Sequence, residues 1–133
     1  MTNWLSIITA IHMAALSQIE SADNDKAIGK NGEVTRYQVA PKVWRAELAA
    51  RTSPVTDPAN PKLALIVAFG IWDRRAEAFL LEHRRKPSLQ ELYLLWHRPA
   101  VLAHGHRKAT AKELDRAQRF ENLVLAMEPK ATK

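Results

Sequence analysis

The sequence predicts an all-α, mainly helical fold of about five helices around a buried central helix, with one small loop or hairpin after the first helix. Hydrophobic residues make up 47% of the 133 residues and recur at three- and four-residue steps in several segments. Strand-like alternation is confined to residues 34–39. The length predicts a single domain over residues 1–128, followed by a C-terminal tail, residues 129–133, that frays.

The first two predicted helices flank a polar loop. Apolar residues at helical spacing predict a helix over about residues 3–20: Trp4, Ile7, Ile8, Ile11, Ala15 and Ile19. Residues 21–38 are rich in turn formers and predict a structured loop or a tiny hairpin. Pro41 suits the first turn of a short helix that runs to about Arg51. Residues 52–61 carry three prolines and are interpreted as a linker.

Three further helices follow the linker. Asn60 and Pro61 suit a cap and a first turn, and they open a long helix to about Arg85. Its first half lacks charge, so four of its residues are expected to be almost fully buried: Leu63, Ile66, Val67 and Gly70. Capping boxes at residues 88–91 and 110–113 start the last two helices. The core-facing stripe of the last helix is predicted to be Leu114, Ala117, Phe120, Leu123, Val124 and Met127.

Composition narrows the classes of function. The formal charge of +6 favours anionic partners, which include nucleic acid, acidic membrane surfaces and anionic cell-wall polymers. The absence of cysteine excludes disulfides and a thiol nucleophile. No stretch approaches the ~20 apolar residues of a membrane span. The first twenty residues lack a basic region and are interpreted as a helix of the mature domain.

Glu20 is the candidate catalytic residue. It lies where the apolar first helix ends and the glycine-containing loop begins. Partial burial disfavours the charged form of a carboxyl, raises its pKa and lets it donate a proton near neutral pH. Position alone is a weak signal, and it favours a solvated glutamate at a helix end.

The surrounding residues carry a family resemblance. Glu20-Ser21 is followed in order by Ala27, Gly32, Gln38 and Pro41. This pattern resembles the signature of soluble lytic transglycosylases and goose-type lysozymes, in the lysozyme-like superfamily. In that family a catalytic Glu-Ser ends a helix, and a small residue, a glycine-led turn with a glutamine and a proline-started helix follow.

The resemblance covers residues 5–45 and, more loosely, residues 88–100. Leu95-Trp96-His97-Arg98-Pro99 resembles a variant of the aromatic-Asn-Ala-Gly turn of the family. Ala22 stands where glycine is common, Glu33 where alanine is common and His97 where asparagine is expected. With these departures the sequence resembles a divergent branch of small bacterial lysozyme-like proteins. The departures put the sugar contacts in doubt more than the role of Glu20 as the acid.

The resemblance implies a peptidoglycan-cleaving glycosidase or lytic transglycosylase that acts on the MurNAc-GlcNAc glycan strand. Glu20 would be the general acid and base, and a transglycosylase would need no second carboxylate. A hydrolase would need a residue that activates water, for which Glu33 is the first candidate and Asp25 the second. The implied substrate-binding residues are Ser21, Gln38, Tyr37, Trp96 and His97.

Two other functions remain open. A catalytically weakened lysozyme-like domain could bind peptidoglycan or a protein partner, as the departures at Ala22 and His97 suggest. A helical nucleic-acid binder rests only on charge and on the helix over residues 110–127, and it ranks below the others. We expect a monomer that binds peptidoglycan rather than nucleic acid, without cofactor or metal. We also expect location in the cell envelope or outside the cell, with no signal peptide visible in this chain.

Overall fold

The computed structural model describes residues 6–52, 54–103 and 109–129. The protein is 64% helical, and the described residues contain six helices and no strand. This result confirms the prediction of an all-α fold. The helices are α1 (Ala10–Ser21), α2 (Pro41–Arg51), α3 (Pro61–His83), α4 (Leu89–His97), α5 (Ala100–Ala103) and α6 (Ala111–Met127).

The chain forms two compact units. One comprises Leu16–Ile71, and the other comprises Met1–Ala15 together with Trp72–Lys133. Both boundaries between the units fall inside helices, one in α1 and one in α3. The single domain expected from the chain length stays a prediction.

Helix α1 begins at Ala10 rather than near residue 3. Its start is set by a reciprocal cap, since the Thr9 hydroxyl accepts the His12 amide at 3.3 Å and the Thr9 amide donates to His12 Nδ1 at 3.1 Å. The capping residue satisfies amide groups that have no partner inside the helix. Trp4, which was assigned to the apolar stripe, lies outside the described residues.

Helices α2 and α3 begin at the prolines that the sequence indicated. The Asn60 side chain also accepts the Leu63 amide at 3.0 Å and so caps α3. The expected burial of the charge-free run is only partly correct. Leu63 and Val67 are buried, whereas Ile66 is 51% exposed and Gly70 is partly exposed. One face of this helix packs and the other meets solvent. The prediction failed because an apolar composition does not determine which side of a helix a neighbour covers.

Helices α4 and α6 begin with the two predicted capping boxes, at Ser88–Glu91 and Thr110–Glu113. In their unit, Trp72, Tyr93 and Phe120 are fully buried. The Trp72 ring lies 5.7 Å from that of Phe120, and its Nε1 donates to a main-chain carbonyl of α4 at 2.8 Å. This aromatic cluster is the core of the unit.

The predicted core stripe of α6 is wrong at three of its six positions. Leu114 and Met127 are exposed and Leu123 is partly exposed, whereas Ala117, Phe120 and Val124 are buried as expected. The helix instead buries a charged residue, Glu113, near its start. The short helix α5 was not predicted. Among the described residues, no helix combines the length and the apolar character that crossing a membrane requires.

A candidate active-site loop after the first helix

The polar loop, defined here as residues 21–40, lies within the unit Leu16–Ile71. Its tip is closed by a two-residue antiparallel bridge between Val34 and Val39. The Val34 amide donates to the Val39 carbonyl at 2.9 Å, and the Val39 amide donates back at 2.7 Å. The sequence predicts a structured loop or a tiny hairpin in this segment, and the described residues show a loop closed by this one bridge, without a strand.

Backbone strain is concentrated in the polar loop. Among the described residues, six that are not glycine have a positive φ, and four of them lie here: Ala22 at 53°, Asp23 at 64°, Thr35 at 71° and Gln38 at 57°. The left-handed conformation costs a residue with a side chain roughly 1–2 kcal/mol. Thr35 is an unusual occupant because it is β-branched, and it is also buried. Such strain persists only where surrounding contacts hold it, and it clusters at functional sites.

Hydrogen bonds from Ser21 hold the start of the loop against its far side. The Ser21 hydroxyl donates to the Arg36 carbonyl at 2.7 Å and accepts the Asn24 amide at 3.0 Å. The Ser17 hydroxyl donates to Asp23 Oδ1 at 2.5 Å. Ser21, expected to bind substrate, thus has a structural role in the geometry of the loop.

Asp25 is engaged in an ion pair. Both of its oxygens accept from the Arg36 guanidinium, at 2.7 and 3.0 Å. These hydrogen bonds are the main reason that the pKa of Asp25 is lowered, against a smaller opposing effect of burial. A carboxylate stabilised in its charged form is a poor proton acceptor, so Asp25 is the weaker candidate for a water-activating base.

Glu20 lies in the last turn of α1, immediately before the polar loop. It is partly buried, with more of its surface covered than exposed. The residue that follows it is the Ser21 described above, so the backbone at Glu20 leads directly into the loop.

The amide group of Gln38 has a defined orientation. Its Nε2 donates to the Thr35 carbonyl at 3.0 Å and to the Ala27 carbonyl at 3.4 Å. Because only the nitrogen of the amide can donate to these carbonyls, Oε1 must point the other way. That oxygen lies against Gly29, where a Cβ atom would collide with it.

Glu33 reaches the same place from the other side of the turn. Its carbonyl accepts the Gly29 amide at 2.8 Å, and its Oε1 accepts the Asn31 amide at 2.9 Å. A Cβ on Gly29 would collide with Glu33 Oε1 as well as with Gln38 Oε1. The two oxygens therefore converge over Gly29.

Tyr37 is buried rather than displayed to a ligand. Its amide donates to the Thr35 hydroxyl at 3.0 Å, and burial raises the pKa of its phenol. The side chain therefore packs in the core of its unit. Little of it is left to line a sugar cleft.

Trp96 and His97 lie in the other unit. The ring of Trp96 is buried and packs 5.8 Å from that of Trp72. His97 stacks on Tyr93 with ring centroids 5.7 Å apart, and its Nε2 lies 3.1 Å from Glu113 Oε2. Both side chains thus have structural partners in their own unit. In this turn Trp96 is therefore committed to packing, whereas His97 stays exposed at the end of α4.

That unit has a shallow depression of about 180 Å³. Neither Trp96 nor His97 lines it, so it does not match the site that the sequence predicted. Its lining residues are Arg75, Ala78, Phe79, Glu82, His83, Leu95, Pro99 and Leu102.

Sequence reasoning missed several residues that shape the site. Arg36 closes the loop through Asp25, and Gly29 leaves the space in which Glu33 and Gln38 meet. Gly29 stands between turn formers in the sequence, but the local sequence does not indicate which side chains pack against it. Thr35 gave no signal, since a β-branched residue argues against a left-handed backbone.

Comparisons with protein-family models, with curated proteins and with solved structures gave no match to this chain. The described residues contain no group of three or more His, Cys, Asp or Glu side chains placed to hold a metal ion. His104 and His106, which are two residues apart in the sequence, lie outside the described residues.

Proposed function

We propose that this protein cleaves the glycan strand of peptidoglycan, with Glu20 as the residue that donates the proton. The observation that carries the proposal is the strained, hydrogen-bonded loop that directly follows a partly buried glutamate at a helix end. A surface turn with no function has no evident reason to hold four left-handed residues that are not glycine, at about 1–2 kcal/mol each.

Ala22 offers a separate line of support for the lysozyme-like resemblance. It is one of the positions where the sequence departs from the family, which commonly has glycine there. The backbone of Ala22 has a φ of 53°, a conformation that favours glycine. The local geometry is thus of the kind that the family residue suits, although the side chain differs.

The chemistry needs one proton donor at the start. Glu20 protonates the oxygen that leaves, and the glycosidic bond breaks. In a lytic transglycosylase the same glutamate then takes a proton from the 6-hydroxyl of the sugar, which closes an anhydro ring. In a hydrolase a second carboxylate activates water, and Glu33 is the candidate within the loop.

The remaining parts of the proposal concern the setting. A formal charge of +6 supports attraction to the anionic cell wall. We propose that the protein acts as a monomer in the cell envelope or outside the cell, and that nucleic acid is not its partner.

The test is Glu20→Gln, which keeps the size of the side chain but cannot deliver a proton. Release of sugars from purified sacculi should fall by the ~10²–10⁴-fold typical of lost acid–base catalysis, while binding to sacculi persists. Glu47→Gln, in α2 of the same unit, is the matched control and should retain activity. If Glu20→Gln cleaves as fast as the wild type, Glu20 is not the acid.

A second candidate function is a binding module. It is favoured by the burial of Trp96 in its own unit, because the sugar contact that the resemblance implied for this ring is not displayed. A wild-type protein that co-sediments with sacculi but releases no sugar would establish this alternative.

A further inference from the structure

One asparagine of the polar loop differs from the other asparagines that the structure describes. Asn31 is exposed, and Gly32 follows it. The main-chain amide of Asn31 donates to Glu33 Oε1 at 2.9 Å, whereas its side chain makes no hydrogen bond with any described residue. No contact therefore holds the carboxamide of Asn31 away from its own backbone.

The other described asparagines have side chains that are held. Asn24 Oδ1 accepts a main-chain amide two residues further on at 3.0 Å. Asn60 Oδ1 caps α3, and the proline that follows it has no N–H. Asn122 lies within α6, where its Oδ1 accepts from a glutamine side chain at 3.0 Å. Within the described ranges, Asn31 is thus the asparagine whose carboxamide is not engaged.

We propose that Asn31 is a site of spontaneous deamidation, in which the nitrogen of Gly32 displaces the side-chain amide. Glycine after asparagine leaves this nitrogen accessible, because no Cβ atom stands beside it. Gly32 also has a φ of 84°, a conformation that glycine adopts without strain. The proposal does not rest on glycan cleavage, since the modification needs only the chain and water.

One hydrogen bond opposes the attack. The Gly32 amide donates to the Gly29 carbonyl at 3.0 Å, and this contact must open before the nitrogen can react. The net strength of a single bond of this kind slows the reaction by roughly tenfold at most. The amide that follows Asn122 is held in the middle of α6 instead, where opening disrupts a cooperative helix. The loop position is therefore favoured over the helical one.

The modification balances with water as the only co-reactant. The Gly32 nitrogen bonds to Cγ of Asn31 and gives up its proton, and the side-chain NH₂ leaves with that proton as ammonia. A succinimide ring results. Water then opens the ring at one of its two carbonyls. Cleavage of the newly formed bond gives aspartate, and cleavage of the original peptide bond gives isoaspartate, in which the main chain runs through the side-chain carbon.

Both products disturb the turn around Asn31. Each places a carboxylate close to Glu33, whose Oε1 accepts the Asn31 amide, so that like charges approach each other. Isoaspartate also adds a methylene group to the backbone between Gly29 and Glu33, whose amide and carbonyl are joined at 2.8 Å. The longer backbone weakens this hydrogen bond, so the turn opens as the protein ages.

The test incubates the folded full chain at mildly alkaline pH and follows each asparagine by peptide mass spectrometry. The peptide with Asn31 should exchange NH₂ for OH and separate into aspartate and isoaspartate forms, while the peptides with Asn24 and Asn122 keep their amides. A synthetic peptide of residues 26–36 supplies the reference rate. Asn31 in the folded protein should be converted no more than about tenfold more slowly than in this peptide. Asn31→Gln is the matched control and should remain unmodified, because the larger ring that glutamine would form closes slowly.

Conversion of Asn31 that is far slower than this limit, or equal conversion at Asn24 or Asn122, would overturn the proposal. Hydrogen exchange measures the structural consequence. The isolated isoaspartate form should exchange the Gly29 amide faster than both the unaged protein and Asn31→Asp, which adds the charge without the longer backbone. Unchanged exchange at Gly29 would overturn the opening of the turn. Because no readout requires sugar release, a failure of the proposed function would leave this inference standing.

Discussion

The substitution Glu113→Gln tests a carboxylate that accepts several hydrogen bonds at the start of α6. Its two oxygens accept the Thr110 amide at 2.9 Å and the Arg98 guanidinium at 2.9 and 2.8 Å. His97 Nε2 lies 3.1 Å from the second oxygen. Glutamine keeps one acceptor oxygen for the helix cap but turns an NH₂ group toward donors. The expected result is a folded protein with a weakened start of α6.

The magnitude follows from the pKa of the carboxyl. The Arg98 hydrogen bonds, opposed by partial burial and aided by the Thr110 amide, lower the pKa of Glu113 from 4.5 to about 2. In a dry site this difference would correspond to about 3 kcal/mol of stability. The Arg98 side chain is 43% exposed, so screening by solvent reduces the contribution to about 1–2 kcal/mol. Since the folded-state pKa is the lower one, this stability is present above pH 4.5 and is lost as the pH falls toward 2.

The assay is urea unfolding followed by circular dichroism at pH 7 and pH 2.5. Glu113→Gln should be about 1–2 kcal/mol less stable than the wild type at pH 7, and most of that difference should be gone at pH 2.5. Glu77→Gln, at an exposed position of α3, is the matched control and should stay within about 0.5 kcal/mol at both values. An equal deficit at both pH values, or none at pH 7, would refute the reasoning.

Two further predictions concern the ends of α1. Ala22→Gly should raise stability by about 0.5–1 kcal/mol in urea unfolding, because it relieves the left-handed strain at φ 53°. The control Ala27→Gly, at a position without positive φ, should lower stability. A change of the same sign in both variants would contradict the assignment of left-handed strain to Ala22. Burial lowers the pKa of His12, against a smaller opposing effect of Glu128, and His12 Nδ1 accepts the Thr9 amide only when that nitrogen is unprotonated. The stability due to neutral His12 is therefore full above pH 6.5 and lost below it. In thermal unfolding, the melting temperature should fall less between pH 7.5 and pH 5.5 in His12→Gln, which keeps the cap, than in the wild type. An equal fall in both proteins would contradict the assignment of an unprotonated Nδ1 to His12.

The local features of the fold could be predicted from sequence because they depend on nearby residues. The two capping boxes, the proline at the start of α2 and the bridge between Val34 and Val39 each involve residues at most five positions apart. Such contacts leave a pattern in composition and spacing that can be recognised without knowledge of the tertiary structure.

The tertiary partners could not be predicted in this way. Glu113 was identified as a capping residue, but its ion pair with Arg98 spans 15 positions and has no sequence pattern. The exposure of Ile66 depends on which face of α3 a neighbour covers. In the candidate site, Glu33 and Gln38 were named as separate residues. Their convergence over Gly29 depends on the backbone conformation of the turn and on the orientation of the Gln38 amide, whose nitrogen donates to two carbonyls.

The polar loop also has a consequence for folding kinetics. Its cross-links join residues that are close in sequence, from the Gly29 amide to the Glu33 carbonyl up to Ser21 with Arg36, 15 residues apart. Closing a loop of about ten residues takes on the order of 10–100 ns, and its entropy cost grows only slowly with length. The contacts that shape the candidate site can therefore form reversibly before the long-range tertiary contacts of the chain are established.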